Sequence, residues 1–345
     1  MDLPGAIARL VDRQDLTRAQ ARAVLAKVMA GEATPAQIAA FLIALRMKGE
    51  TAEEIAGAAE AMRAAAIPIR APRRPVLDTC GTGGDGRGTW NLSTAAALVV
   101  AGGGAAVAKH GNRAISSRSG SADVLEALGV VIDLDPDGIE ACLGETGFAF
   151  LFAPRLHPAM RHALGPRREI AVRSLFNLLG PLTNPAGVDR QVLGVFAAPL
   201  VPTVAGVLHR LGTEHALVVH GAGGEDELSL DGEPVVFEAR SGAEAPRPLA
   251  VSPRALGFDP PSDPAALSGG DARANAAWIT GLLAGEVRGP SREAVVLNAA
   301  AGFYVTGLAR DLAEGCARSR ESLDSGAAAS VLDRLRETSR KLSRR

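Results

Sequence analysis

The segment from Asp78 to Asp123, DTCGTGGDGRGTWNLSTAAALVVAGGGAAVAKHGNRAISSRSGSAD, is the richest in residues that can do chemistry. It opens with five glycines, at 81, 83, 84, 86 and 88. Glycines leave backbone amides bare and permit positive φ, which is the geometry of an anion-binding nest. Asn91, Leu92, Ser93 and Thr94 follow at an expected helix start, where unpaired amides and partial positive charge favour a phosphate. The Ser93 and Thr94 hydroxyls suit phosphate oxygens or a magnesium ion; a capped helix after a flexible turn is the plainer reading. Gly81, Gly83 and Gly86 also satisfy G-x-G-x-x-G. That dinucleotide motif expects an acidic residue about 20 positions on to hold a ribose hydroxyl. Between Asp85 and Asp123 there is no carboxylate, and Lys109, Arg113 and Arg118 occupy the stretch instead.

A second anion loop follows about twenty residues after the first, where Lys109, Arg113 and Arg118 alternate with Ser116, Ser117, Ser119 and Ser121. Cations with small hydroxyl donors suit a polyanion such as a diphosphate. A solvated basic loop explains the stretch taken alone, but two such loops after consecutive strands point to one ligand. The third candidate is Asp226–Glu227 in HGAGGEDELSL. Adjacent carboxylates in a glycine-rich loop can ligate Mg²⁺, which keeps water and bridges to phosphates; an acidic surface turn is the alternative. Other templates fail: there is no C-x-x-C, H-E-x-x-H, G-x-S-x-G or G-x-x-x-x-G-K-[ST]. Covalent Ser or Cys catalysis has no support, and Cys80 reads as a packed strand residue.

These loops need a scaffold. With 345 residues the chain holds two ordinary domains, or one large α/β domain with an appendage. The first 70 residues read as short helices, marked by capping boxes at Thr17/Gln20, Thr34/Gln37 and Thr51/Glu54, with Gly31 and Gly49 as helix stops. Residues 67 to 75, IPIRAPRRP, form a linker. Strands are then predicted at Val76–Cys80, Ala105–Ala108, Val130–Leu134, Phe148–Phe152, Val192–Ala197, Ala216–His220 and Pro234–Glu238, with Ala-rich helices between most of them. That alternation implies a mainly parallel sheet covered on both faces. Residues 157–185 read as helical and return to the N-terminal bundle; three amphipathic helices are expected from Asp271 onward.

Composition narrows the class. Lys and Arg total 37 against 38 Asp and Glu, so the broad basic footprint of a nucleic-acid binder is missing. Aromatics are 3%, too few for base-stacking platforms. Cys80, Cys142 and Cys316 are far apart, which fits a reducing compartment and no disulfide framework. No apolar run approaches a membrane span, and the start lacks a signal-peptide pattern, so a cytoplasmic protein is expected.

Taken in order along the chain, GTGGDG with NLST, KHGNRAISS with SGSADVLEALG, HPAM, FNLLGPLTNPA and the late Asp–Glu pair resemble the anthranilate phosphoribosyltransferase family over nearly the full length. The resemblance implies a small, discontinuous helical domain (1–72, joined by about 157–188) and a large α/β domain (73–156 and 189–345), related in fold to nucleoside phosphorylases. It implies a homodimer through the helical domain, an interdomain active site, and magnesium, two ions per subunit. Transfer of a phosphoribosyl group from phosphoribosyl pyrophosphate to the anthranilate amine, in tryptophan biosynthesis, is the implied reaction. A pyrimidine nucleoside phosphorylase-like enzyme and a transferase with another aromatic acceptor are the alternatives.

Carried over by motif, the donor site comprises Gly81, Gly84, Asp85, Thr89, Asn91, Leu92, Ser93 and Thr94, then Lys109, His110, Gly111, Asn112, Arg113, Ala114, Ile115, Ser116 and Ser117, and finally Ser121. The implied metal ligands are Ser93, Asp226 and Glu227. Gly81, Asn112 and Arg167 would contact anthranilate, with Arg168 as the rival of Arg167 and Arg173 as a separate motif arginine. His110 and His157 either line the acceptor channel or are packed histidines. Lys109 is the electrostatic candidate, and no general base is assigned. Four positions depart from the family pattern: Trp90, Ala171, Ser174 and Glu225. Glu225 would add charge to the metal site or face water.

Overall fold

The computed structural model describes residues 1–114 and 118–344, so the expected donor residues Ile115, Ser116 and Ser117 lie outside the described residues. Four helices open the chain: α1 (Leu3–Val11), α2 (Arg18–Ala30), α3 (Pro35–Lys48) and α4 (Ala52–Ala64). All three predicted capping boxes form, with Thr17, Thr34 and Thr51 each accepting the amide three residues on. Each cap contributes about 1 kcal/mol to its helix. Gly31, at φ +77°, and Gly49 end α2 and α3 as expected.

The α/β part runs β1 (Val76–Gly81), α5 (Leu92–Gly102), β2 (Ala106–Gly111), α6 (Ser121–Ala127), α7 (Pro136–Thr146) and β3 (Phe148–Phe152). Then come α8 (Ala153–Leu156), α9 (Arg161–Ile170), α10 (Leu175–Leu182), β4 (Arg190–Gly194), α11 (Leu200–Arg210) and β5 (His215–His220). β6 (Val235–Arg240), β7 (Arg247–Pro248), α12 (Ala272–Leu283), α13 (Pro290–Val305), α14 (Leu312–Asp324) and α15 (Ala327–Leu342) complete the chain. The sheet order is β3-β2-β1-β4-β5-β6-β7, with the first five strands parallel and the last two antiparallel.

Two differences from the sequence reading stand out. Val130–Leu134 alternates in burial, yet it joins no strand: the Val131 amide donates to Ser339 Oγ of α15 at 3.1 Å. A period of two records an extended backbone with one apolar side, not a ladder partner. At the C-terminal end four helices form rather than three, because Gly326, at φ +76°, separates α14 from α15.

Alternation along β5 shows how the layers divide. Ala216 and Val218 face a core shared with α2–α4, α10 and α11, together with Ala163 of α9. Leu217 and Val219 face the other core, built around α5 and α13. Residues 157–182 thus pack with the N-terminal helices, through Leu175, Phe176 and Leu179. No helix among the described residues is long and apolar enough to cross a membrane.

Candidate active site

The strand order reverses between β1 and β4, so the loops after them diverge and leave a crevice at their carboxyl ends. Gly81 and Gly194 end these two strands as register partners. Both lie beneath Asp226: a Cβ on Gly81 would meet its Oδ2 at 2.3 Å, and one on Gly194 would meet its carbonyl oxygen at 1.4 Å. Only glycine allows this approach. The glycine loop then turns with positive φ at Gly83, Gly84, Gly86 and Gly88. Its Gly83 amide donates to Asp226 Oδ2 at 2.7 Å. Asp85 Oδ2 accepts weakly from the Asp226 amide at 3.4 Å. The loop after β5 and the loop after β1 are therefore one construction.

Glu227 reaches the start of α5. Its Oε1 accepts the Ser93 amide at 2.9 Å, and Thr89 Oγ1 lies 3.4 Å from its Oε2. Lys109 is buried below; its Nζ donates to the Thr79 carbonyl and lies 3.4 Å from Ser93 Oγ. Neither Asp226 nor Glu227 has an ion-pair partner among the described residues. Burial, and then the charge of Asp85, raises the Asp226 pKa; burial, and then Asp226, raises that of Glu227. Burial pushes the Lys109 ammonium down against the pull of Asp78, Cys80, Glu227 and Asp226. Asp78, also buried, is pushed up to about 6. Burial thus disfavours the ionised form of these carboxyls, and a divalent cation among them would favour it.

Whether the residues fit magnesium is decided by their donor set. Two adjacent carboxylates and a serine hydroxyl supply hard oxygen, and no set of three or more His, Cys, Asp or Glu suited to a metal occurs among the described residues. The hard oxygen donors suit an ion held by one or two carboxylates that keeps open positions for water and phosphate oxygens. Glu225 does neither thing expected of it. It is 8% exposed and folds into its own loop, where a Cβ on Gly223 would meet its Oε1 at 2.4 Å.

The second anion loop adjoins the first. Asn91 Nδ2 donates to the Ser119 carbonyl at 3.2 Å, and Ser119 Oγ to Asn91 Oδ1 at 3.2 Å. Leu92 and Thr94 are buried in the first turn of α5. Thr94 Oγ1 has no hydrogen-bond partner among the described residues. Gly111 ends β2 against Ser121 Oγ, and Asn112 and Ala114 follow in the loop. Arg113 is held by Asp123 and Glu126, at 3.1 and 2.8 Å, over the Phe152 ring.

The turn between α9 and α10 closes over the glycine loop. Arg173 donates to the Gly84 carbonyl and stacks on Phe196 at 4.3 Å. Arg167, in the last turn of α9, is half-buried over the Phe176 ring at 5.0 Å, without an ion pair or side-chain hydrogen bond among the described residues. Arg168 beside it is exposed. A shielded, uncommitted guanidinium suits a planar carboxylate. His110 of β2 and His157 pack with ring centroids 5.0 Å apart, and burial holds their pKa values down to about 3 and about 4. Both are neutral at pH 7, and both Nε2 atoms lack partners among the described residues.

Sequence reasoning missed Asp78 and Asn184. Asp78 accepts from Asn184 Nδ2 at 2.9 Å and from the His110 amide at 3.2 Å, which ties β1, β2 and the segment after α10 together. A carboxylate inside an otherwise apolar strand was the available signal.

The chain matches the glycosyl transferase family in two parts: the helical bundle domain over residues 4–66 and the α/β domain over residues 73–329. Its relatives include anthranilate phosphoribosyltransferase of Chloroflexus aurantiacus, 54% identical over 99% of both chains. The protein of the same name from Anaeromyxobacter sp. strain K is 55% identical over 96% of both. The crystal structure of anthranilate phosphoribosyltransferase from Thermus thermophilus superposes with a TM-score of 0.91 at 49% identity, covering 97% of this chain and 99% of that one. The Saccharomyces cerevisiae enzyme in complex with PRPP and Mg gives 0.90 at 26% identity, covering 98% of each. The chain belongs to the anthranilate phosphoribosyltransferase family.

Proposed function

We propose that this protein transfers the 5-phosphoribosyl group of phosphoribosyl pyrophosphate to the amine of anthranilate, giving N-(5-phosphoribosyl)anthranilate and pyrophosphate, a step of L-tryptophan biosynthesis. The observation that carries this reading is the shared crevice of the glycine loop, the α5 start and the Asp226–Glu227 pair, closed by the turn that bears Arg173. One phosphate pocket would serve a nucleoside phosphorylase; two adjoining anion loops with an acidic pair suit a metal-bridged diphosphate.

The donor residues are those named by motif, from Gly81 to Thr94 and from Lys109 to Ser121. Ser93, Asp226 and Glu227 would hold magnesium, two ions per subunit, whose positive charge would offset that of the departing pyrophosphate. The remaining amides of the glycine loop are assigned to the phosphate oxygens, where they stabilise charge that leaves with pyrophosphate. Lys109 supports this from beneath through Ser93. Arg167 orients the acceptor carboxylate, so that the amine faces ribose C1. Gly81 and Asn112 border the acceptor on the donor side. An aromatic amine is already neutral at pH 7, so its lone pair needs no strong base.

The helical unit is assigned residues 1–72 with about 157–188, and the α/β unit 73–156 with 189–345, in keeping with the packing of α9 and α10 on α3 and α4. A homodimer through the helical unit is consistent with Val11, Met47 and Leu164, which are exposed there. We assign the protein to the cytoplasm, in keeping with three cysteines far apart in the sequence. The test is a fluorescence assay of anthranilate consumption with phosphoribosyl pyrophosphate, with and without Mg²⁺. Consumption that needs both is expected; none with either would overturn the reading.

A further inference from the structure

We infer that Asn275 and Trp278, in the first two turns of α12, are positioning residues for the phosphoribosyl donor, acting through Asn91 and Trp90. The inference rests on the donor reading above and adds a part of the molecule that no motif covers.

Residues 267–270 run alongside the end of the glycine loop. The Trp90 amide donates to the Leu267 carbonyl at 3.1 Å, the Gly269 amide donates to the Gly88 carbonyl at 2.8 Å, and Thr89 and Ser268 form an antiparallel bridge. The approach is so close that a Cβ on Gly269 would meet the Thr89 carbonyl oxygen at 2.5 Å. Arg118, from the second anion loop, donates to the Gly269 carbonyl. One short strip thus touches both anion loops.

Asn275 locks this arrangement. It is 1% exposed; its Oδ1 accepts the Gly270 amide at 2.7 Å, and its Nδ2 donates to Asn91 Oδ1 at 2.7 Å. Asn91 in turn bonds Ser119, so its side chain is committed to joining the loops and makes no cap bond to α5. One turn further on, Trp278 stacks on Trp90 at 4.9 Å and 11° between planes, with its Nε1 donating to Ser291 Oγ at 3.3 Å. Trp90 is one of the four positions that depart from the family pattern, and Trp278 is its stacking partner.

The physical need is entropic. Five glycines within eight residues give a loop with much conformational freedom to lose when a ligand orders it. Fixing both ends of its last turn before binding removes part of that cost. Neither Asn275 nor Trp278 has to touch the ligand for this to act.

The test uses the full-length protein with Asn275→Ala, Trp278→Leu and Trp278→Phe. Asn275→Ala and Trp278→Leu are expected to raise the KM and calorimetric Kd for phosphoribosyl pyrophosphate with Mg²⁺ about tenfold, the loss of one buried hydrogen bond or stack. At saturating donor, kcat and the KM for anthranilate stay within about twofold, and Trp278→Phe restores most of the donor affinity. If one variant does not fold, the other and the Phe rescue still decide. Donor binding unchanged in folded variants, or a lower kcat with both KM values raised and stability lost together, overturns the inference while the donor reading stands. A wild-type protein that binds no phosphoribosyl pyrophosphate overturns both.

Discussion

Glu227 Oε1 accepts the Ser93 amide at 2.9 Å, so a carboxylate from the loop after β5 sits at the start of the helix that follows the glycine loop. Two segments 134 residues apart in sequence are joined by this bond, and Asp226 repeats the connection at Gly83. The acidic pair is held by amides, with no cation in contact among the described residues.

Replacing the pair by Asp226→Asn with Glu227→Gln removes that uncompensated charge while keeping an acceptor oxygen at each position. Half-maximal activity should then need about ten- to hundredfold more Mg²⁺, the loss of roughly 1.5–3 kcal/mol of charge-assisted contact. Added Mg²⁺ should raise the Tm of the wild type and leave that of the variant unmoved. An unaltered magnesium titration of turnover would exclude both residues as ligands.

Gly81→Ala tests the floor of the crevice. Its Cβ would lie 2.3 Å from Asp226 Oδ2, so the carboxylate must turn away. Magnesium-dependent turnover should fall at least tenfold, with little change in Tm because the obstacle is a side-chain end. Gly194→Ala meets a backbone carbonyl at 1.4 Å and should lower stability as well. Thermal melts beside initial rates distinguish the two.

Arg167→Ala removes the guanidinium proposed to hold the acceptor carboxylate. We expect a ten- to hundredfold loss in kcat/KM for anthranilate, from about 1.5–3 kcal/mol, with the donor KM little changed. Arg168→Ala, an exposed neighbour, should behave as wild type. The opposite pattern in steady-state kinetics would exchange their roles.

The histidine pair predicts a pH dependence of stability. His110 and His157 titrate near 3 and 4 when folded, against an ordinary 6.5. Below that ordinary value the unfolded chain takes up protons that the folded chain refuses. Stability from these groups is therefore full above about pH 6.5 and declines as the pH falls toward 4. Asp78, raised to about 6, acts in the opposite sense, so the comparison must be between proteins. Urea denaturation between about pH 5 and 7 should show the stability of the wild type, relative to His157→Gln, rising with pH. Parallel curves would mean that His157 is protonated in the fold.

The capping boxes, the glycine loop and most strands were legible because each is local: a Thr with its partner three residues on, a positive-φ glycine, an apolar run. Val130–Leu134 shows the limit of that signal, since its Val131 amide donates to Ser339 of α15 and the segment joins no strand. Glu225 shows another, because an acidic residue beside two carboxylates gives no sign that it will fold inward. The brace was invisible for a third reason: Asn275 lies 184 residues from Asn91, and no pattern in either segment announces the contact.

The chain contains two tryptophans, and they are each other's stacking partner. Its entire indole emission therefore originates at a single seam, where the glycine loop meets α12. The protein carries a built-in optical gauge of that seam, readable without dye or label.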